Sequence, residues 1–200
     1  MAESTPISAL AGYVAPGVRG AVQPDGAGVI LQERRFVALA QLVSPPADPT
    51  LKEICAVAGV AAMPPSGRAE RGKHATLMWN GPGQWLAAFH ERTDGFDALS
   101  AAARDSGTTV TDLGHARTII RIAGRNALDV LLKGCPLDLE SLGPDDCAAT
   151  LLGHFNVQIH VLDSGCIDVC VFRSFGLALW EWLVDAALEY GVEIREAASE

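Results

Sequence analysis

Two segments 84 residues apart follow one pattern: Phe96, Leu99, Ala103 and Gly107 match Trp180, Leu183, Ala187 and Gly191. Steps of three and four residues keep apolar side chains on one face of a helix, and a glycine just beyond such a run is a common terminator. Two strand-like runs precede each predicted helix. They are Ala75 to Asn80 and Gln84 to His90 before 96–106, and 147–162 and Cys166 to Arg173 before 174–190. An earlier strand and helix recur at a similar, not identical, offset: a run from Val29 to Val43 with a helix over 50–58, and strands 108–112 and 118–123 with a helix over 126–133. This grammar predicts a duplicated α+β protein, two ferredoxin-like halves of mainly antiparallel sheet with helices on one face. The chain divides into an extended N-terminal arm (1–28), rich in Pro and Gly without periodicity, halves at 29–107 and 108–191, and a C-terminal tail (192–200).

The last helix is apolar around most of its circumference. At about 100° per residue, Leu179, Trp180, Leu183, Ala187 and Tyr190 face one way and Glu181, Asp185 and Glu189 form a narrow acidic stripe. Trp182 sits about 160° from Trp180, so the two rings do not share a core. Trp182 either meets a partner surface or lies under a neighbouring loop of its own chain.

In the last hairpin, Phe155, Val157, Ile159 and Val161 share a face, as do Ile167, Val169 and Val171. Opposed residues must point the same way, which requires an odd-length turn. Asp163-Ser164-Gly165 supplies one, with Gly in the left-handed position. His160 then faces Asp168. Such a pair suits an oriented general base, but a catalytic dyad also needs a nucleophile and a pocket. The pair therefore reads as a cross-strand polar contact on an outward sheet face.

Other chemistry is sparse. There is no GxGxxG after a strand, no GxxxxGK[ST], no HExxH and no CxxC. His154 and His160, six residues apart on an extended strand, are roughly 20 Å apart and unable to share a metal. Cys135, after the helix end at Gly134, reads as a buried thiol. His115 and Arg117 lie in a polar turn at a strand entrance, and Arg68, Arg71, Lys73 and His74 form a basic run in a loop over 63–72. A net charge of −9 argues against nucleic-acid or anionic-membrane partners. No secretory signal is visible and no apolar run is long enough for a bilayer. Five cysteines, an odd number without paired spacing, suit a reducing compartment, so the cytoplasm is expected.

The series GHARTIIRI (114–122), LLKGCPLDL (131–139), CAATLLGHFNVQIHVLD (147–163) and RSFGLALWEWLVDAA (173–187) resembles the gamma subunit of bacterial heterotetrameric sarcosine oxidase, as does GPGQWL (81–86) more thinly. The resemblance implies a fold similar to folate-binding aminomethyltransferase domains and a structural subunit without catalytic, cofactor or metal residues of its own. Its partners would be alpha, beta and delta subunits in an assembly that demethylates sarcosine. FAD, NAD and FMN would sit on alpha and beta, zinc on delta, and tetrahydrofolate would accept the one-carbon unit. The expected partner-facing residues are Trp182, Arg173, Phe175, His115 and Arg117. Phe172 stands where that family usually has Pro and GHART replaces an SHGRT-like run, which leaves a related N-methylated amine as an alternative substrate. A free-standing folate-binding transferase domain is the competing reading, and Asp168 and Asp112 are its candidate pterin carboxylates.

Overall fold

The computed structural model describes residues 8–35, 38–45, 48–90 and 94–199. Its first half comprises strands β1 (Gly17–Arg19), β2 (Val29–Arg35) and β3 (Ala38–Val43), helix α1 (Leu51–Ala58), strands β4 (Ala69–Arg71), β5 (Ala75–Gly81) and β6 (Gln84–Phe89), helix α2 (Gly95–Ala102) and strand β7 (Thr109–Asp112). Then follow β8 (Arg117–Ala123), α3 (Ala127–Leu132), β9 (Cys147–Leu152), β10 (Phe155–Asp163), β11 (Cys166–Phe172), α4 (Gly176–Ala187) and β12 (Val192–Ser199).

Seven strands form one sheet in the order β1-β12-β2-β8-β11-β10-β9, and five form a second in the order β4-β5-β6-β3-β7. From β3 to β7 and from β8 to β12 the succession is the same, strand, helix, three strands, helix, strand. The sheet orders also correspond, except that β2 is inserted between β8 and β12 and β1 is added beyond β12. Pairing is antiparallel apart from β2 with β12.

Side-chain alternation sorts each strand between two environments. Ile120 and Ile122, Ile159 and Val161, and Val169 and Val171 pack with Leu179, Trp180 and Leu183 of α4 and with Val130 and Leu131 of α3. In the smaller sheet, Leu42, Leu77 and Phe89 pack under Ile54 of α1 and Leu99 of α2. The intervening residues of both sheets face each other, since Leu39, Met78, Leu86 and Ala88 form a third cluster with Cys147 of β9. The layers therefore run helix, sheet, sheet, helix. Each sheet carries helices on one face, as the sequence predicts.

Several boundaries differ from the sequence expectation. The run 29–43 supplies two strands, β2 in the larger sheet and β3 in the smaller, instead of one. Residues 147–162 turn back at Gly153, whose φ is +59°, which makes β9 and β10 a hairpin. The expected tail at 192–200 contains β12: Val192 and Ile194 are buried while Arg195 points to solvent, a period-two pattern that pairs with both β1 and β2. The described part of the arm, 8–28, is anchored too, because Leu10 belongs to the buried core of the larger sheet and β1 closes the sheet edge. The loop expected over 63–72 includes β4, and Arg68 of the basic run forms an ion pair with Asp146, tying β4 to the segment before β9.

Candidate functional site

His160 is directly opposite Asp168 and Gly165 has φ +76°, as expected, but the turn is Ser164-Gly165 alone: Asp163 pairs with Cys166, and a register shift between Val161 and Asp163 keeps the parity. The face that His160 and Asp168 share is not outward. Both side chains are buried, because this face of β8, β10 and β11 looks toward β5 and β6 across a cavity of about 300 Å³. Arg121, alternating with Ile120 and Ile122, enters the cavity from β8 and grips Asp168 with two parallel bonds, Nε to Oδ1 at 2.7 Å and Nη2 to Oδ2 at 2.8 Å. That bidentate geometry is the strong form of the arginine–carboxylate contact.

The rest of the lining is mixed. Gln158 donates from Nε2 to the Trp79 carbonyl at 2.8 Å, joining β10 to β5. Its Oε1 and the Nε2 of His160 are buried without a hydrogen-bond partner among the described residues. The His160 ring lies 3.8 Å from Asp145 Oδ1, beyond hydrogen-bond range. Burial is the largest influence on His160 and holds its pKa below the ordinary value, against the opposing pull of Asp168 and Asp145. Cys170 also lines the cavity, and burial pushes its thiol up to about 12. Cys147 nearby is raised to about 11 for the same reason.

This arrangement meets the pocket requirement of a dyad but not its chemistry. Asp168 is engaged by Arg121 rather than orienting the imidazole, and a thiol with so high a pKa is protonated at neutral pH and a poor nucleophile. Asp112, the other nominated carboxylate, is exposed and accepts the Gly114 N–H at 2.8 Å. Arg121 and Gln158 were missed by sequence reasoning. The available signal was a lone arginine within the apolar run TIIRIA, which implies a buried counter-charge on a neighbouring strand.

The other nominated residues fall into two places. Trp182 is partly buried against its own chain, with its ring over Gly134 and Gly153. This is the neighbouring-loop alternative for that residue. His115, Arg117 and Arg173 line one small cleft of about 120 Å³ together with Arg34 and Arg35. The β8–β11 pairing sets Arg117 against Phe172, with its guanidinium 3.6 Å from the ring centroid, and Arg173 N–H donates to the Ala116 carbonyl at 2.8 Å. Phe175 is half exposed nearby in sequence, with its ring 6.1 Å from that of Phe155.

The two-sheet fold has a counterpart among solved structures. The glycine cleavage system aminomethyltransferase T from Bartonella henselae superposes with a TM-score of 0.62 over 88% of this chain and 52% of its own, at 15% identity, a likeness of fold alone. No family model matches the sequence. A chain of the heterotetrameric sarcosine oxidase from Corynebacterium sp. U-96, solved with pyrrole 2-carboxylate, superposes with a TM-score of 0.77 over 91% of this chain and 90% of its own, at 26% identity. The sarcosine oxidase gamma subunit of Corynebacterium sp. (strain U-96) is 26% identical over 183 residues, 90% of this chain and 89% of the subunit. That of Corynebacterium sp. (strain P-1) is 29% identical over 119 residues, 58% of this chain and 59% of the subunit. The chain is similar to sarcosine oxidase gamma subunits, in one case along nearly its whole length.

Proposed function

We propose that this chain is the gamma subunit of a heterotetrameric sarcosine oxidase and acts there by docking, not by catalysis. The assembly would oxidatively demethylate sarcosine to glycine, pass the one-carbon unit to tetrahydrofolate as 5,10-methylenetetrahydrofolate and reduce oxygen to hydrogen peroxide. FAD, NAD and FMN would be carried by the alpha and beta subunits and zinc by the delta subunit, in the cytoplasm. The observation that carries this reading is the similarity to gamma subunits along nearly the whole chain. The cavity is compatible with it, since Asp168 is held by Arg121 and burial keeps the Cys170 thiol protonated. The matching order of elements in β3–β7 and β8–β12 supports descent of the two units from one duplicated α+β ancestor.

Co-expression tests the function. The chain produced with the alpha, beta and delta subunits should co-purify with them and with sarcosine-dependent peroxide release, and the chain alone should release none. Peroxide formation by the isolated chain, or purification free of the other subunits, would overturn the reading. The cavity gives the folate-binding alternative its one support, and that alternative requires saturable binding of tetrahydrofolate by the isolated chain in a calorimetric titration.

A further inference from the structure

We propose that the open edge of β9 seats an extended, uncharged segment of a partner subunit, which adds to the larger sheet as a further strand. This rests on the gamma-subunit reading and adds to it the surface and the mode of contact.

The first ground is the direction of the backbone groups. Val161 turns both of its groups toward the segment that leads into β9: its N–H donates to the Asp146 carbonyl at 2.9 Å and its carbonyl accepts from the Asp145 N–H at 2.8 Å. By the two-residue period of an antiparallel ladder, Ala148, Thr150 and Leu152 then bond to β10, while Cys147, Ala149, Leu151 and Gly153 aim their N–H and C=O groups the other way. Both ends of that outward row are closed. The Cys147 N–H donates to the Gly67 carbonyl at 2.8 Å and the Gly153 N–H to the Gly134 carbonyl at 2.9 Å. Between them, the outward groups of Ala149 and Leu151 have no hydrogen-bond partner among the described residues, and both residues are exposed. The gap suits an added strand of about five residues.

The second ground is edge protection. Strands at sheet edges are commonly kept short or charged, which blocks unwanted pairing. Three of the four edges follow that rule: β1 and β4 have three residues and β7 four, and they carry Arg19, Glu70 with Arg71, and Asp112. The fourth does not. β9 has six residues, CAATLL, without charge or proline. Third, the side chains of Ala149 and Leu151 open onto a groove of about 450 Å³ with Leu86, Pro136 and Phe172 in its apolar wall. Leu151 is 45% exposed and Phe172 44%. Main-chain bonds along the edge supply affinity, and an apolar side chain of the added segment entering the groove sets its register. A second copy of this chain would bring another net charge of −9 to the same edge, which favours a different subunit as the source of the strand.

The test uses the full chain with the alpha, beta and delta subunits. Ala149→Pro deletes one outward N–H and places the proline ring at the open edge, where a strand tolerates it; Ala149→Ser keeps that N–H. The proline variant should assemble at least tenfold more weakly with a thermal melt of the free chain close to wild type, and the serine variant should assemble normally. Residue-resolved amide exchange on the wild type is the second measurement: the Ala149 and Leu151 amides should exchange freely in the isolated chain and become protected in the complex. Should the proline variant fail to fold, exchange alone decides. Unchanged exchange on assembly, or normal assembly of a folded proline variant, overturns the added strand and leaves the gamma-subunit reading standing. Protection already present in the isolated chain also overturns it, pointing to a second copy where the protection depends on concentration and to the chain's own residues where it does not. Failure of wild type to assemble at all overturns the gamma-subunit reading and the proposal with it.

Discussion

Asp168→Asn should be the most damaging single polar substitution at the inter-sheet cavity. It removes the counter-charge of Arg121, whose guanidinium makes bonds of 2.7 and 2.8 Å to Asp168. The side chains are 18% and 9% exposed, so the guanidinium that loses this carboxylate is largely, not wholly, shielded from water. Breaking a buried pair by removing one partner costs about 3–5 kcal/mol, and the residual exposure of Arg121 places this case near 3 kcal/mol. For a chain of this size that corresponds to a fall in Tm of roughly 6–12 °C. Replacing both partners with apolar residues, Arg121→Met/Asp168→Val, leaves no orphan charge and should return stability to within about 1 kcal/mol of wild type. Urea denaturation with the slope held constant measures Asp168→Asn, the double variant and its two single constituents, Arg121→Met and Asp168→Val, and a coupling energy of about 2 kcal/mol or more closes the cycle. Additive single variants, each costing under about 1 kcal/mol, would refute the view that this pair is structural.

His160 supplies a pH signature. Its folded-state pKa is held down by burial, so below about 6.5 the unfolded chain takes up a proton that the native chain refuses. Stability should be insensitive to this group above that pH and fall as pH drops from about 6.5 toward the depressed folded value; denaturation across this range should show a smaller slope in His160→Gln, and an equal slope contradicts the assignment. Native maleimide labelling at pH 8 should spare Cys170 and Cys147, whose thiols are raised to about 12 and about 11, and modify Cys166 first, because it alone of the five is not buried; early labelling of Cys170 would show a more open cavity. Trp180→Ala should cost about 3–5 kcal/mol as a core truncation. Trp182→Ala should cost roughly half as much, since its ring is only partly covered by Gly134 and Gly153, and the reverse ranking in thermal melts would mean that the faces of α4 are wrongly assigned.

The repeat pattern made the α+β class and the places of helices α1 to α4 legible, and strand parity was enough to put His160 opposite Asp168. Orientation of that polar face was not legible. Period-two alternation separates two faces of a strand, but it does not say whether the polar one meets water or a second sheet, and here Arg121, Gln158, His160 and Asp168 meet a second sheet. The last strand was hidden by its charges: Glu193 and Arg195 suggested a tail, although the same shift of 84 residues carries Thr109–Asp112 of β7 onto Glu193–Glu196 of β12. The run 29–43 misled for a different reason, because both β2 and β3 are apolar enough for buried strands and nothing local marks the passage between sheets. Convergence of His115, Arg117 and Arg173 needed the β8–β11 pairing, which joins residues more than 50 apart in the chain.

The gamma-subunit account is tested most directly by native mass spectrometry of the complex captured through a tag on this chain after co-expression with the alpha, beta and delta subunits. One copy of each of four chains in a single species, with sarcosine-dependent peroxide release in the same fraction, is the expected result. Recovery of the tagged chain by itself, with an active oxidase assembled without it, would contradict the account.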